Sequence, residues 1–197
     1  MASSPRVIAL IMAAGRARRF GSDKRLARLP GGGTLLAATL AGTRHLFAER
    51  FLVIGGHDAP GHRLADAAGV GSLVAPRAEL GLGHSIADAT SELLRHDLEA
   101  EALAVVLGDM PGVAATTYAG LVGAAASGRI VRPGYHGRPG HPVLFGRDFW
   151  PALARLAGPK GARDVIAAHH SALCRIEVDD PGIRIDVDRP EDLARLG

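Results

Sequence analysis

The sequence predicts an α/β fold on a mostly parallel sheet, and three observations predict it. Short apolar runs alternate with longer amphipathic stretches through the first 132 residues, the pattern of successive βαβ units. Hydrophobic residues make up 47% of the chain but aromatics only 4%, so Ala, Val, Leu and Ile must fill the core, as α/β layers allow. Several apolar runs end in small or acidic residues, Ala13-Ala14-Gly15, Gly55-Gly56 and Gly108-Asp109, at the strand ends where open sheets bind ligands.

The elements follow in order. Arg6–Ala13 reads as a buried strand and 34–47 as a helix. Phe51–Ile54 is a second strand, Pro60–Ala68 a helix and Ser72–Ala75 a short strand. His84–Arg95 is a helix with Ser85 near its start. Ala102–Leu107 is a strand with the loop Gly108-Asp109-Met110-Pro111 at its carboxyl end. Ala114–Ala126 is a helix and Arg129–Arg132 a strand. Beyond residue 133 the pattern changes. Turn-rich residues precede a strand-like His141–Phe145, which predicts a small antiparallel insertion in the C-terminal half. Leu173–Val178 and Ile183–Val187 read as late strands, and Pro190–Leu196 as a helix with Pro at its first position. With no repeat and no linker, one domain is expected over 1–197.

Cys174 is the sole cysteine, so no intramolecular disulfide forms, and a reducing, cytoplasmic setting is expected. The apolar run Val7–Ala14 is too short to span a bilayer and is followed, not preceded, by arginines, which predicts neither a targeting segment nor a membrane partner. Residues 1–50 carry a local charge of +7 while the rest sums to −4. That asymmetry points to an anionic ligand. The chain lacks interleaved aromatics and a long basic helix, which argues against nucleic acid and for a phosphate-rich small molecule.

The segment from Ala13-Ala14-Gly15 through Arg19 to Gly21-Ser22-Asp23-Lys24 follows the first strand. Small residues let backbone N–H groups approach phosphate oxygens, and Arg19 and Lys24 add positive charge. Neither the Walker nor the dinucleotide glycine spacing fits. Only Lys24 and Lys160 are lysines, against 21 arginines, and both lie in glycine-containing loops. Asp109 at the end of a central strand can hold Mg²⁺, or serve as a turn former or helix cap. Asp186 and Asp188 share a face if extended and offer a second metal ligand, although Asp188 also fits a cap for the Pro190 helix. Ser85 reads either as a base or ribose contact or as an N-cap. His141 and Pro142 are candidates for shaping an acceptor pocket. Gly158-Pro159-Lys160-Gly161-Ala162-Arg163 offers two cations in a turn.

Taken together these segments resemble the MobA-like nucleotidyltransferases, nearest the molybdenum cofactor cytidylyltransferase branch. The opening loop at 12–24, Gly81 through Ile86, Gly-Asp-Met-Pro at 108–111, Gly-His-Pro-Val-Leu-Phe at 140–145, the turn at 158–163 and the Asp-x-Asp segment at 186–192 occur in the family's order. Departures are Ala17 or Arg18 in place of a small hydroxyl residue, Pro159 in place of Asp and Arg189 in place of Thr. The resemblance implies a Rossmann-like three-layer fold and transfer of NMP, from CTP, to a phosphorylated acceptor, the molybdenum cofactor, with release of pyrophosphate. It implies Arg19, Lys24 and Asp109 as catalytic residues. It assigns nucleotide binding to Ala13, Ala14, Gly15, Arg19, Lys24, Ser85 and Gly108, acceptor binding to His141, Pro142 and Lys160, and Mg²⁺ to Asp109 with Asp186 or Asp188. A molybdoenzyme or its chaperone is a further implied partner. Two alternatives stay open: the same fold acting with GTP or on a sugar phosphate, and a non-catalytic carrier of the molybdenum cofactor.

Overall fold

A computed structural model of the chain describes residues 4–15 and 20–196. Six consecutive apolar residues form β1 (Val7–Met12), buried along its whole length because the sheet is covered on both faces. Then follow α1 (Leu35–Gly42), β2 (Glu49–Gly55), α2 (Ala59–Ala68), β3 (Gly71–Ala75), α3 (Leu82–Arg95), β4 (Ala102–Leu107) and α4 (Ala115–Gly123). The C-terminal part contributes β5 (Ile130–Tyr135), β6 (Arg138–Pro139), β7 (Val143–Gly146), α5 (Trp150–Leu153), α6 (Arg163–Ala168) and β8 (Leu173–Glu177).

Among the described residues these strands make one sheet of eight, in the order β3-β2-β1-β4-β7-β5-β6, with β8 beside β5. β1 to β4 are mutually parallel, and β8 runs parallel to β5. β7 is antiparallel to both β4 and β5, which is the insertion read from the turn-rich stretch. The sheet is the middle of three layers, in a Rossmann-like arrangement. Alternate residues of β1 point to opposite faces. Val7, Ala9 and Ile11 pack with Leu36, Ala65 and Tyr118 of α1, α2 and α4. Ile8, Leu10 and Met12 pack with Ile86, Trp150 and Val165 of α3, α5 and α6. No helix among the described residues is long and apolar enough to cross a membrane.

Local chemistry sets the boundaries. Asp58 starts α2 by accepting from Gly61 N, and Gly69, at φ 63°, ends it. The first helix is shorter than expected, because the chain leaves the helix at Gly42. Ile183–Val187 is not a strand. Asp180 accepts from Gly182 N, Ala114 N and Thr117, and so opens a 3₁₀ turn over Pro181–Arg184 instead. The apolar alternation there buries Ile183 and Val187 against the sheet end without a ladder. Pro190–Leu196 is 3₁₀ rather than α-helix. The short α5 and α6 had no clear periodic signal.

Candidate active site

The carboxyl ends of β1 and β4 are drawn together at Gly108. Its N–H donates to Met12 O at 3.0 Å, and a Cβ at this position would lie 2.8 Å from that same oxygen. A glycine is therefore required, and the contact sets Asp109 beside the loop that leaves β1. That loop ends in a single 3₁₀ turn, Lys24–Leu26, which Asp23 starts by accepting from Arg25 N. The turn aims Lys24 back across the end of the sheet.

Lys24 Nζ donates to Asp109 Oδ2 at 2.5 Å and to Val187 O at 3.0 Å, and it lies 3.6 Å from Asp188 Oδ1. Both partners of the 2.5 Å pair are about four-fifths buried, at 19% exposure each. Val187 N donates in turn to Asp109 O, which fastens the 185–188 segment to the end of β4. Partial burial, with the charges of Asp109 and Asp188 nearby, raises the Asp186 carboxyl above its ordinary range, so the carboxylates do feel one another. Asp109 and Asp188 flank the ammonium, while Asp186 borders a neighbouring cavity. Among the described residues no three Asp, Glu, His or Cys side chains converge as a ready ligand set for a metal. Mg²⁺ commonly takes only one or two carboxylates and completes its shell with water and substrate phosphate, so Asp109 with one neighbour is a sufficient donor set.

Two cavities lie beside this cluster. The larger, ≈ 930 Å³, is bordered by Ala13, Ala14 and Gly15 on one side and by Gly55, Pro76 and Ala78 on the other. The second, ≈ 550 Å³, has an apolar floor that includes Val105 and Phe145, and a polar wall with His141, Lys160 and Asp186. A recess of ≈ 40 Å³ holds Lys24, Asp109 and Gly108 and shares Ala13, Gly15 and Arg25 with the larger cleft.

Most of the sequence-predicted residues thus gather at one end of the sheet. Ala13, Ala14 and Gly15 border the larger cleft, Lys24, Gly108 and Asp109 the recess, and His141, Lys160 and Asp186 the second cavity. Pro142 is buried and borders neither cavity. Ser85 is buried within α3 and borders neither cavity; Gly81 is the cap residue of that helix. Arg19 lies outside the described residues. Asp188 faces Lys24, and it is Asp192 that accepts from the N–H groups of Asp188 and Arg189.

Sequence reasoning missed Arg25. Its guanidinium is held between Asp23 and Asp58, donating to both, and it borders the larger cleft. Hydrogen bonds from Arg25 hold the Asp23 carboxyl below its usual range; at Asp58 burial opposes the same effect but is outweighed by bonds from Arg25 and Gly61. The three residues tie the loop after β1 to the turn after β2. An Asp-Lys-Arg triplet carries no such signal, because Asp58 is distant in sequence. Arg132 and Arg184, both at the second cavity, were missed for the same reason.

The sheet order, the glycine-lined loop after β1 and the aspartate at the end of β4 define a Rossmann-like nucleotidyltransferase fold. Residues 9–173 match the MobA-like NTP transferase domain, and the chain belongs to that family. The homologue of Mycobacterium tuberculosis Rv0371c from Mycobacterium sp. strain JC1 is 32% identical, with a TM-score of 0.79 over 97% of this chain and 94% of that one. Rv0371c of M. tuberculosis H37Rv, solved in complex with manganese, is 28% identical with a TM-score of 0.77 over 97% of both chains. A nucleotidyl transferase from Methanothermobacter thermautotroptrophicus shares the fold at 18% identity, with a TM-score of 0.80 over 97% of this chain and 95% of that one. The chain matches no curated protein.

Proposed function

We propose that this protein transfers a nucleotidyl group from CTP to the phosphate of a small acceptor, the molybdenum cofactor, with Mg²⁺ as the resident cation. The observation that carries the reading is the position of Lys24, an ammonium among carboxylates beside both a glycine-lined cleft and a cation-bearing cavity. The cleft takes the NTP, with Ala13, Ala14 and Gly15 against the triphosphate. The second cavity takes the acceptor, beside His141 and Lys160. Asp109, with Asp186 or Asp188, would hold Mg²⁺, which when bound neutralises charge on the α-phosphate. The structural relative solved with manganese supports a divalent ion.

In the reaction an acceptor phosphate oxygen bonds to the α-phosphorus while the bond to the pyrophosphate oxygen breaks and its electron pair leaves with pyrophosphate. Lys24 stabilises the charge that builds on the α-phosphate. No protein nucleophile is required, and the acceptor phosphate is already ionised at neutral pH, so no general base is needed. A molybdoenzyme or its chaperone would receive the product in the cytoplasm.

The choice of CTP rests on the resemblance of the 108–111 and 140–145 segments to the cytidylyl branch. One observation favours GTP: Glu79 borders the nucleotide cleft, and a guanine edge needs a carboxylate or carbonyl to accept its N–H groups. Pyrophosphate release, measured with CTP and GTP in parallel against molybdenum cofactor and sugar phosphates, separates these. Turnover with a sugar phosphate alone overturns the acceptor, preferential use of GTP overturns the base, and no turnover with any pair leaves a carrier.

A further inference from the structure

The second cavity holds more positive charge than one acceptor phosphate needs. Arg132, Lys160, Arg163 and Arg184 all border it, and among the described residues none of the four has an acidic partner. Some cations elsewhere in the chain are paired, Arg25 with Asp23 and Asp58, Arg77 with Asp88 and Arg147 with Asp97.

Arg132 is the clearest case. It is half-buried, and the bond it makes is from Nε to the carbonyl of Gly140, at 3.0 Å. Its register partner across the parallel β5–β8 pair is Arg175, so two like charges face each other on one side of the sheet. Like charges directly opposite are destabilising, and a partly buried unpaired guanidinium adds to that cost. Burial, followed by the charges of Arg175 and Arg163, lowers the guanidinium's proton affinity. His141, in the same wall, has a buried Nδ1 with no hydrogen-bond partner.

Position separates this group from the reacting centre. β7 stands between β4 and β5, which displaces the Arg132 backbone by two strands, or roughly 10 Å, from the strand that carries Asp109. Asp186 borders the same cavity, within the electrostatic reach of Asp109. A phosphate placed for attack beside Lys24 and Asp109 is therefore not the group that Arg132 meets.

We infer that the second cavity contains a separate anion subsite, formed by Arg132 and Arg163, and that the acceptor is a doubly anionic molecule: the phosphate that reacts, and a second anionic group held across the cavity from it. This rests on the reading of that cavity as the acceptor site.

Titration calorimetry at low salt tests it, with alkanediol bisphosphates from propanediol to octanediol and with the matching alkyl monophosphates as probes. At least one bisphosphate should bind wild-type protein ~10-fold or more tightly than its monophosphate, because a second charge-assisted contact is added. Arg132→Gln and Arg163→Gln should each reduce that preference to within about twofold, while Arg132→Lys retains most of it. Circular dichroism shows whether each variant is folded, and CTP binding with Mg²⁺, read separately, should be unchanged. A wild-type protein that binds no bisphosphate better than its monophosphate overturns the subsite, and so does a preference that survives both Gln substitutions. If the preference holds but no nucleotide is bound or transferred, the subsite stands and the transferase reading falls. If CTP is turned over without any bisphosphate preference, the reverse is true.

Discussion

Replacing Lys24 by Met removes one positive charge and keeps nearly the same length of chain. The 2.5 Å pair with Asp109 and the 3.6 Å approach to Asp188 are both lost, and Val187 O loses a donor. Two unit charges about 4 Å apart attract by ~4 kcal/mol at an effective dielectric constant of ~20, and the ammonium's own desolvation offsets part of that. A net loss of about 2 kcal/mol follows, chiefly from leaving a mostly buried carboxylate unpaired. For a chain of this size that is a fall of roughly 4–8 °C in Tm. Millimolar Mg²⁺ should recover most of it in the variant, since the same carboxylates are then free for a divalent ion, whereas wild type should gain less. In the pyrophosphate-release assay kcat/KM should drop ~10²-fold or more, as loss of a transition-state charge contact of ~3 kcal/mol requires. Thermal unfolding followed by circular dichroism, with and without Mg²⁺, reads the first effect. Turnover within twofold of wild type would show that Lys24 is a structural ion-pair residue and not a phosphate ligand.

Asp109→Asn should abolish Mg²⁺-dependent turnover while the protein stays folded by circular dichroism; Asn forms turns and caps as well as Asp does, so near-normal activity would return Asp109 to a turn-forming role. CTP should be preferred to GTP by ~10-fold or more in kcat/KM, about 1.4 kcal/mol, and equal use would shift weight to Glu79 and a guanine donor. His141 is pushed down to about 4, first by burial and then by Arg132 and Arg163. The unfolded chain, with histidine near 6.5, then takes up the proton first as the pH falls. Stability is intact above 6.5 and lost by up to ~3 kcal/mol on the way down to 4. Urea midpoints of wild type and His141→Asn across that window should diverge, and parallel curves would rule out a neutral buried imidazole.

The parallel half of the fold was legible because its strands are apolar runs that stop at glycine, proline or an acidic residue, and α2 and α3 carry strong periodic faces. The antiparallel insertion was legible from turn residues alone. Ile183–Val187 misled because alternation reports burial, and a 3₁₀ turn fastened by Asp180 buries Ile183 and Val187 as effectively as a strand would. Within the site, Lys24 stood out as one of two lysines, in a glycine-containing loop after the first strand, and Asp109 as a carboxylate beside Gly108 at a strand end. Arg25, Arg132 and Arg184 did not, since nothing in an arginine-rich sequence distinguishes a guanidinium facing a cavity from one facing water. Asp58 completes its cluster only because β2 lies beside β1. That pairing is a long-range contact, invisible to local pattern.

The start of α3 meets the 157–161 turn across a seam with no room for side chains. A Cβ at Gly81 would lie 2.7 Å from the Pro159 Cα, and one at Gly83 would lie 2.8 Å from the carbonyl oxygens of Ala157 and Gly158. Gly83 N donates to Gly158 O at 2.9 Å, and Gly158 N donates to His84 Nδ1 at 3.0 Å. Pro76, Ala78 and Glu79, just before the seam, border one cavity, and Pro159 to Arg163, within and after it, border the other. Rigid main chain joins the two rims. If a ligand displaces one rim, the main chain carries the shift to the other, and the two occupancies then share a coupling free energy. Linkage makes that coupling symmetric: whatever factor the first ligand imposes on the second, the second returns on the first, regardless of order of arrival.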